Sequence, residues 1–168
     1  RSSDLSVLLV VKAFAAETVS KTTISLSDTS LSQLQATYEG VIGTYPSLRG
    51  TNGTVAAVGG SNSFTATVKS AYNRPYIGSK SYPASNMTIT LKNQYDTPAI
   101  LSFTYNIASA NGTVTGDAIK GSTGSFEKEI PGGGDITIKI VSSDNNAGHD
   151  PGVVFELTNL SLKQVEIT

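Results

Sequence analysis

Three residue types that proteins use to bind sugars are concentrated in one short segment. Residues 71–77 read AYNRPYI, and Tyr82 follows closely. Aromatic rings pack on the C–H faces of sugars, amides and guanidinium groups bond sugar hydroxyls, and loops on rigid scaffolds carry such residues. The segment therefore predicts a glycan-binding loop made of the residues Tyr72, Asn73, Arg74, Tyr76 and Tyr82. The alternative, which we favour, is that the tyrosines cap the edge of a core and Arg74 is a solvated charge.

A second polar segment, residues 142–151, contains oxygen donors that suit calcium. These candidate ligands are Asp144, Asn145, Asn146 and Asp150. Hard oxygen ligands are what Ca²⁺ prefers, but the spacing is not that of an EF-hand loop. Asn, Asp and Gly are also the residues that tight turns require, so a polar turn is the preferred interpretation. We expect no cofactor other than this candidate structural calcium.

Residues suited to catalysis are present but not in a recognisable arrangement. His149 is the single histidine, and no G-x-S-x-G motif provides a nucleophile for it. Four carboxylates are candidates for a glycosidase pair, namely Glu127, Glu129, Asp135 and Glu156. Such a pair acts only at a defined separation, and charged residues on a strand usually form a solvated face. We therefore predict no catalytic residues and a protein that is not an enzyme.

Composition narrows the function classes further. The chain has 168 residues, a formal net charge of −1 and no cysteine. The absence of a basic excess argues against nucleic acid as a partner, and the absence of cysteine excludes thiolate metal sites. Ser and Thr together supply 42 residues, a quarter of the chain, and β-branched Thr suits a pleated, half-exposed surface.

Apolar side chains alternate with polar ones in many short runs, which indicates strands with one buried face. The inward sets are Phe64, Ala66 and Val68; Met87, Ile89 and Leu91; Leu101, Phe103, Tyr105 and Ile107; Ile136, Ile138 and Ile140; Val153, Phe155 and Leu157; and Leu160 with Leu162. The pattern predicts an all-β, two-sheet antiparallel β-sandwich of nine or ten strands, jelly-roll-like, with room for one short turn or helix near residues 30–39.

Turn residues between the runs predict two hairpins. Asn111 and Gly112 separate residues 101–110 from residues 113–115, and the run PGGG at 131–134 separates residues 125–130 from residues 135–142. Both sequences favour chain reversal.

The first twenty residues form a separate segment in this interpretation. Residues 7–16 resemble the end of a signal peptide, with small residues before a cleavage point after Ala15 or Ala16, and residues 1–5 read as adapter-derived. The run is too short to span a bilayer, so no membrane insertion of the mature domain is expected. We expect residues 21–168 to form a single sandwich domain that continues into further domains.

The order of the C-terminal strands is similar to that of a known family. Residues 100–105, 125–130, 135–140 and 154–162 read ILSFTY, SFEKEI, DITIKI and VFELTNLSL. This order resembles the galactose-binding-like jelly rolls of bacterial carbohydrate-binding modules and related modules of cell-surface proteins, over about residues 62–165. The closing strand matches the family at Phe155, Leu157, Leu160, Ser161 and Leu162. Thr158, with Asn159 beside it, replaces an Asp that often helps the family to hold calcium.

Two functional hypotheses follow, with a hydrolase as a distant third. The first is a structural or adhesive module of a larger secreted or cell-surface protein, whose partners are neighbouring domains or a host-surface protein. The second is a carbohydrate-binding module that recognises a glycan through the Tyr72–Tyr82 segment.

Overall fold

The computed structural model describes residues 17–44, 52–70, 84–142 and 152–166. These residues form ten strands and one single turn of 3-10 helix at Thr29–Leu31, so the predicted all-β class and strand number are confirmed. The strands are β1 (Glu17–Thr23), β2 (Leu34–Ile42), β3 (Thr54–Gly59), β4 (Phe64–Lys69), β5 (Asn86–Asn93), β6 (Ala99–Ala110), β7 (Gly112–Thr115), β8 (Thr123–Ile130), β9 (Asp135–Ser142) and β10 (Val153–Gln164). No helix in this described part is long and apolar enough to cross a membrane.

Two five-stranded antiparallel sheets face each other. The first has the order β1-β2-β5-β9-β7 and the second the order β3-β4-β10-β6-β8. Strands β1 and β2 lie in the first sheet and β3 and β4 in the second, and from β5 onward every strand lies in the opposite sheet from the strand before it. This connectivity is compatible with a jelly roll.

Both predicted hairpins are wrong because the chain crosses between sheets at these turns. Strand β6 is paired with β10 on one side and β8 on the other, so β7 joins β9 in the first sheet instead. Likewise β8 pairs with β6, whereas β9 pairs with β5. The turn between β8 and β9 requires glycine at two positions. A Cβ on Gly132 would collide with the backbone of Asp96, and Gly133 has a φ of 75°, which other residues rarely adopt.

The predicted inward sets form the core between the sheets. All of their members are buried except Ile107, which is half-buried near the end of β6. Phe155 on β10 lies at the centre, with its ring 5.8 Å from that of Tyr105 and 6.5 Å from that of Phe64. Burying each such large apolar side chain stabilises the fold by about 1.5–3 kcal/mol.

Of the short turn or helix predicted near residues 30–39, the structure has a single 3-10 turn at Thr29–Leu31. Asp28 caps the 3-10 turn by accepting a hydrogen bond from the Ser30 amide at 2.9 Å, and the turn ends at Leu31. From Leu34 the chain is β2, because the inward positions Leu34 and Ala36 pack on the core while β5 and β1 pair on either side. Tertiary pairing overrides the weak local helix signal here.

The N-terminal strand begins before the boundary that the sequence suggested. Strand β1 runs from Glu17, so residue 21 falls inside it. The adapter-like and signal-like residues 1–16 lie outside the described residues, and their assignment stays a prediction.

One buried amide holds the crossings together at the end of the sandwich where β5 finishes. The Asn93 side chain is 1% exposed, and its Nδ2 atom donates to the carbonyls of Thr97, Ile130 and Pro131 at 3.1, 3.1 and 3.2 Å. Its Oδ1 atom accepts from the Tyr95 amide at 2.9 Å. The single side chain therefore joins the β5–β6 and β8–β9 connections.

Replacing Asn93 by Ala should lower the free energy of unfolding by about 3 kcal/mol, because several buried backbone groups lose a partner. Chemical denaturation with linear extrapolation measures this. The matched control is Asn106→Ala on the exposed face of β6, which should change stability by less than about 0.5 kcal/mol. Equal effects of the two substitutions would contradict the role assigned to Asn93.

Candidate functional site

The residues that the sequence singled out for ligand binding lie outside the described residues. This holds for the tyrosine segment, whose members are Tyr72, Asn73, Arg74, Tyr76 and Tyr82, and for the calcium candidates, which are Asp144, Asn145, Asn146 and Asp150. It also holds for His149. The structure does describe the strands that lead into and out of both segments.

The strand ends that flank both segments meet at the same end of the sandwich. Strand β5 starts at Asn86, which is paired with Val141 near the end of β9. Strand β10 starts at Val153, which is paired with Val68 near the end of β4. Residues 70 and 84 flank the tyrosine segment, and residues 142 and 152 flank the calcium candidates. We call this end, where β2, β4, β6 and β9 finish, the loop end.

A buried pair of serines joins the two stems. Ser85 and Ser142 are 0% and 2% exposed. The Ser85 amide donates to Ser142 Oγ at 2.9 Å, and both the amide and the hydroxyl of Ser142 donate to the Ser85 carbonyl, at 2.9 and 3.1 Å. The stem that enters β5 and the stem that leaves β9 are thus joined by side chain as well as backbone.

Closely packed glycines extend this network to neighbouring strands. The Gly43 amide donates to Ser85 Oγ at 3.0 Å, and the Gly53 amide donates to the Gly43 carbonyl at 2.8 Å. A Cβ on Gly53 would collide with Ser85 Oγ. On the other side, Gly152 has a φ of 78°, and its carbonyl accepts from Ser109 Oγ at 2.7 Å.

The described contacts of this network are with backbone groups. The Ser85 hydroxyl accepts from the Gly43 amide, and the Ser142 hydroxyl accepts from the Ser85 amide and donates to the Ser85 carbonyl. Buried, satisfied polar groups of this kind fix geometry. The strand ends at the loop end are therefore held in a fixed arrangement.

The four carboxylates considered for glycosidase chemistry do not all lie together. Glu127, Glu129 and Glu156 project from the outer face of the second sheet, whereas Asp135 begins β9 in the first sheet. Among the described residues, no three His, Cys, Asp or Glu side chains are placed to hold a metal ion.

The outer face of the second sheet has a shallow depression that the sequence did not reveal. It encloses about 340 Å³ and is lined by Ser102, Phe103, Thr104, Ser125, Phe126, Glu127 and Asn159. Asn159 has a φ of 54° where β10 shifts register against β6, and its Nδ2 atom donates to Thr104 Oγ1 at 3.3 Å. The hydroxyls of Thr104 and Thr158 share a hydrogen bond of 2.7 Å. Thr158 and Asn159 of β10 are thus hydrogen-bonded to Thr104 on the neighbouring strand β6.

Replacing Ser142 by Ala should destabilise the loop end, because the buried Ser85 amide loses its acceptor. We expect the free energy of unfolding to fall by about 2 kcal/mol and the amides near residues 85 and 142 to exchange faster with solvent. Ser125→Ala on the exposed face of β8 is the control and should leave both measurements unchanged. A Ser142→Ala protein as stable as the control would contradict the network's role.

Comparison with known proteins assigns the chain to no family. The chain matches no protein-family model, and no curated protein matches it significantly. What is shown is a two-sheet antiparallel β-sandwich compatible with a jelly roll, with its connecting segments anchored at a polar loop end.

Proposed function

We propose that this domain is a non-catalytic module of a larger secreted or surface protein, with a structural or adhesive role. The observation that carries the proposal is the path of the chain. Strand β1 enters at the loop end, where Glu17 is paired with Ile42, and β10 leaves at the opposite end, where Gln164 is paired with Ala99. A module whose chain enters at one end and leaves at the other separates its two neighbouring domains by its own length. That length is about 40 Å, the span of the twelve residues of β10 at the rise of an extended strand.

The same path determines how the module bears force. Tension applied through the two ends of the chain acts along β1 and along β10, in opposite directions. Strand β10 is bonded on both sides, to β4 and β6. Because the load runs parallel to the strands, many hydrogen bonds must break together before a strand slides. Shear loading of this kind suits a spacer that transmits tension.

Surface composition is consistent with a module that separates other domains. The outward positions of β4, β6 and β10 are rich in hydroxyl groups, including Thr65, Thr67, Ser102, Thr104 and Ser161. Hydroxyl-rich strands with few charges are well solvated and carry no strong field.

Single-molecule pulling tests the mechanical part of this proposal. Pulling the full chain through its two ends should require a severalfold higher force for the first unfolding event than pulling between the N-terminus and a Thr44→Cys handle. The second geometry opens β1 from β2 one bond at a time, because both strand ends lie at the loop end. The chain has no native cysteine, so the handle is unique. Equal forces in the two geometries would contradict a force-bearing role.

A second candidate function is recognition of a glycan through the tyrosine segment. The convergence of its stems with those of the calcium candidates at one supported end favours it, because binding residues are often carried by loops clustered at one end of a sandwich. A structural calcium bound by the neighbouring segment belongs to this same proposal. A glycan-binding module, like the structural module, is proposed to be extracellular.

A glycan array followed by calorimetry separates the two functions. If the domain is a carbohydrate-binding module, it binds at least one glycan class, and Tyr76→Ala weakens that affinity at least about tenfold, or about 1.4 kcal/mol. Tyr95→Ala removes an aromatic ring near the opposite end and should leave affinity unchanged if the protein stays folded. Absence of binding to every class would leave the structural module as the function.

A further inference from the structure

One of the four edge strands in the described chain lacks the features that prevent edge-to-edge pairing. Strand β8 has Glu127, Lys128 and Glu129, and β1 has Lys21 and a register shift against β2. Strand β7 has only four residues. Strand β3 reads TVAAVG, and no charged side chain occurs between Arg49 and Lys69. Natural sheets usually protect an edge with charge, irregularity or shortness.

Within the described chain the outer edge of β3 has backbone partners only beyond its two ends, where the Gly53 amide donates to the Gly43 carbonyl and the Ser27 amide donates to the Gly60 carbonyl. Its register with β4 is regular over all six residues, and no backbone bond from the described chain reaches residues 54–58 on the other side. Val58 is 72% exposed, and Thr54 and Ala56 are exposed beside it. Val55 and Ala57 point inward and pack on the core.

The hydrogen-bond pattern shows which groups face outward along this edge. Across the β3–β4 turn, the Gly60 amide donates to the Ser63 carbonyl at 2.7 Å. Hydrogen-bonded and non-hydrogen-bonded pairs alternate in an antiparallel ladder. Residues 54, 56 and 58 therefore bond to β4, and the amides and carbonyls of Val55 and Ala57 are directed away from the sheet.

We propose that this edge pairs with the same edge of a second copy of the chain, antiparallel about a two-fold axis at Ala56. In that register Val55 of one copy exchanges two backbone hydrogen bonds with Ala57 of the other, and Ala56 faces Ala56. Inward side chains stay inward in both copies, which fixes the register. The second sheets of the two sandwiches then form one continuous sheet of ten strands.

Charge makes β3, and not the charged edge strand β8, the edge that can pair with its own copy. Antiparallel self-pairing of β8 brings like charges opposite each other, which is destabilising, whereas the side chains that meet in a β3 pair are Thr, Val and Ala. Small and β-branched residues also pack well across strands. The surface that this pairing covers includes the exposed Val58.

Analytical ultracentrifugation of the full chain tests the proposal with matched variants. The wild-type chain should show a concentration-dependent species of twice the 17.5 kDa monomer mass. Ala56→Glu and Ala56→Lys, which place like-charged side chains directly opposite each other on Cα atoms about 4.5 Å apart, should each be monomeric. An equimolar mixture of the two variants should restore the dimer, because opposite charges then face each other. Ala56→Ser and Thr123→Glu on β8 are the controls that should dimerise normally.

Hydrogen exchange provides a second measurement that does not depend on the variants. The amides of Val55 and Ala57 should exchange freely at low concentration and become protected as the concentration rises. A wild-type chain that stays monomeric, or a dimer that survives Ala56→Glu and Ala56→Lys unchanged, would overturn the proposal. So would a dimer in which the Val55 and Ala57 amides remain unprotected.

Discussion

The rest of the fold depends on one constraint, which is the burial of β10 between two neighbouring strands. This strand places Val153, Phe155 and Leu157 in the core. Strand β10 lies between β4 and β6, so the last strand of the chain joins residues that precede it by about ninety and about fifty positions. Its inward side chains are fully buried against both sheets. Because β10 occupies the centre of the second sheet, β6 and β4 are unavailable to the strands that follow them in sequence. Those strands must cross to the first sheet, which produces the alternating path of the chain.

That path also explains the contrast between the two ends of the sandwich. At one end, Asn93 joins two crossings through a single buried amide. At the loop end, the Ser85–Ser142 pair and the close glycines join the stems of the longer connections. Both ends rely on small polar side chains inside the fold, because crossing chains leave backbone groups that a sheet ladder cannot satisfy. A chain without cysteine can stabilise its connections in this way.

The sequence predicted the parts of the fold that depend on local pattern. Alternation identified most of the buried apolar side chains of the described residues, including Met87, Ile89 and Leu91, because strand faces repeat every two residues, but it missed Leu34 and Ala36 on β2. It failed where long-range pairing decides the outcome. Asn111 and the run at 131–134 have hairpin chemistry, but their flanking strands already have other partners. The Ser85–Ser142 pair was also missed, because two serines fifty-seven residues apart in a serine-rich chain have no local signal. The sugar-binding and calcium segments stay predictions, and the structure adds only that their stems share one end.

The measurement that tests this account most directly is the set of cross-strand nuclear Overhauser effects of β10 in solution. The account predicts that Phe155 lies across from Ala66 on one side and from Ile107 on the other, with matching contacts along both ladders. Contacts of β10 with β9 in an antiparallel ladder, in place of those with β4 and β6, would contradict it.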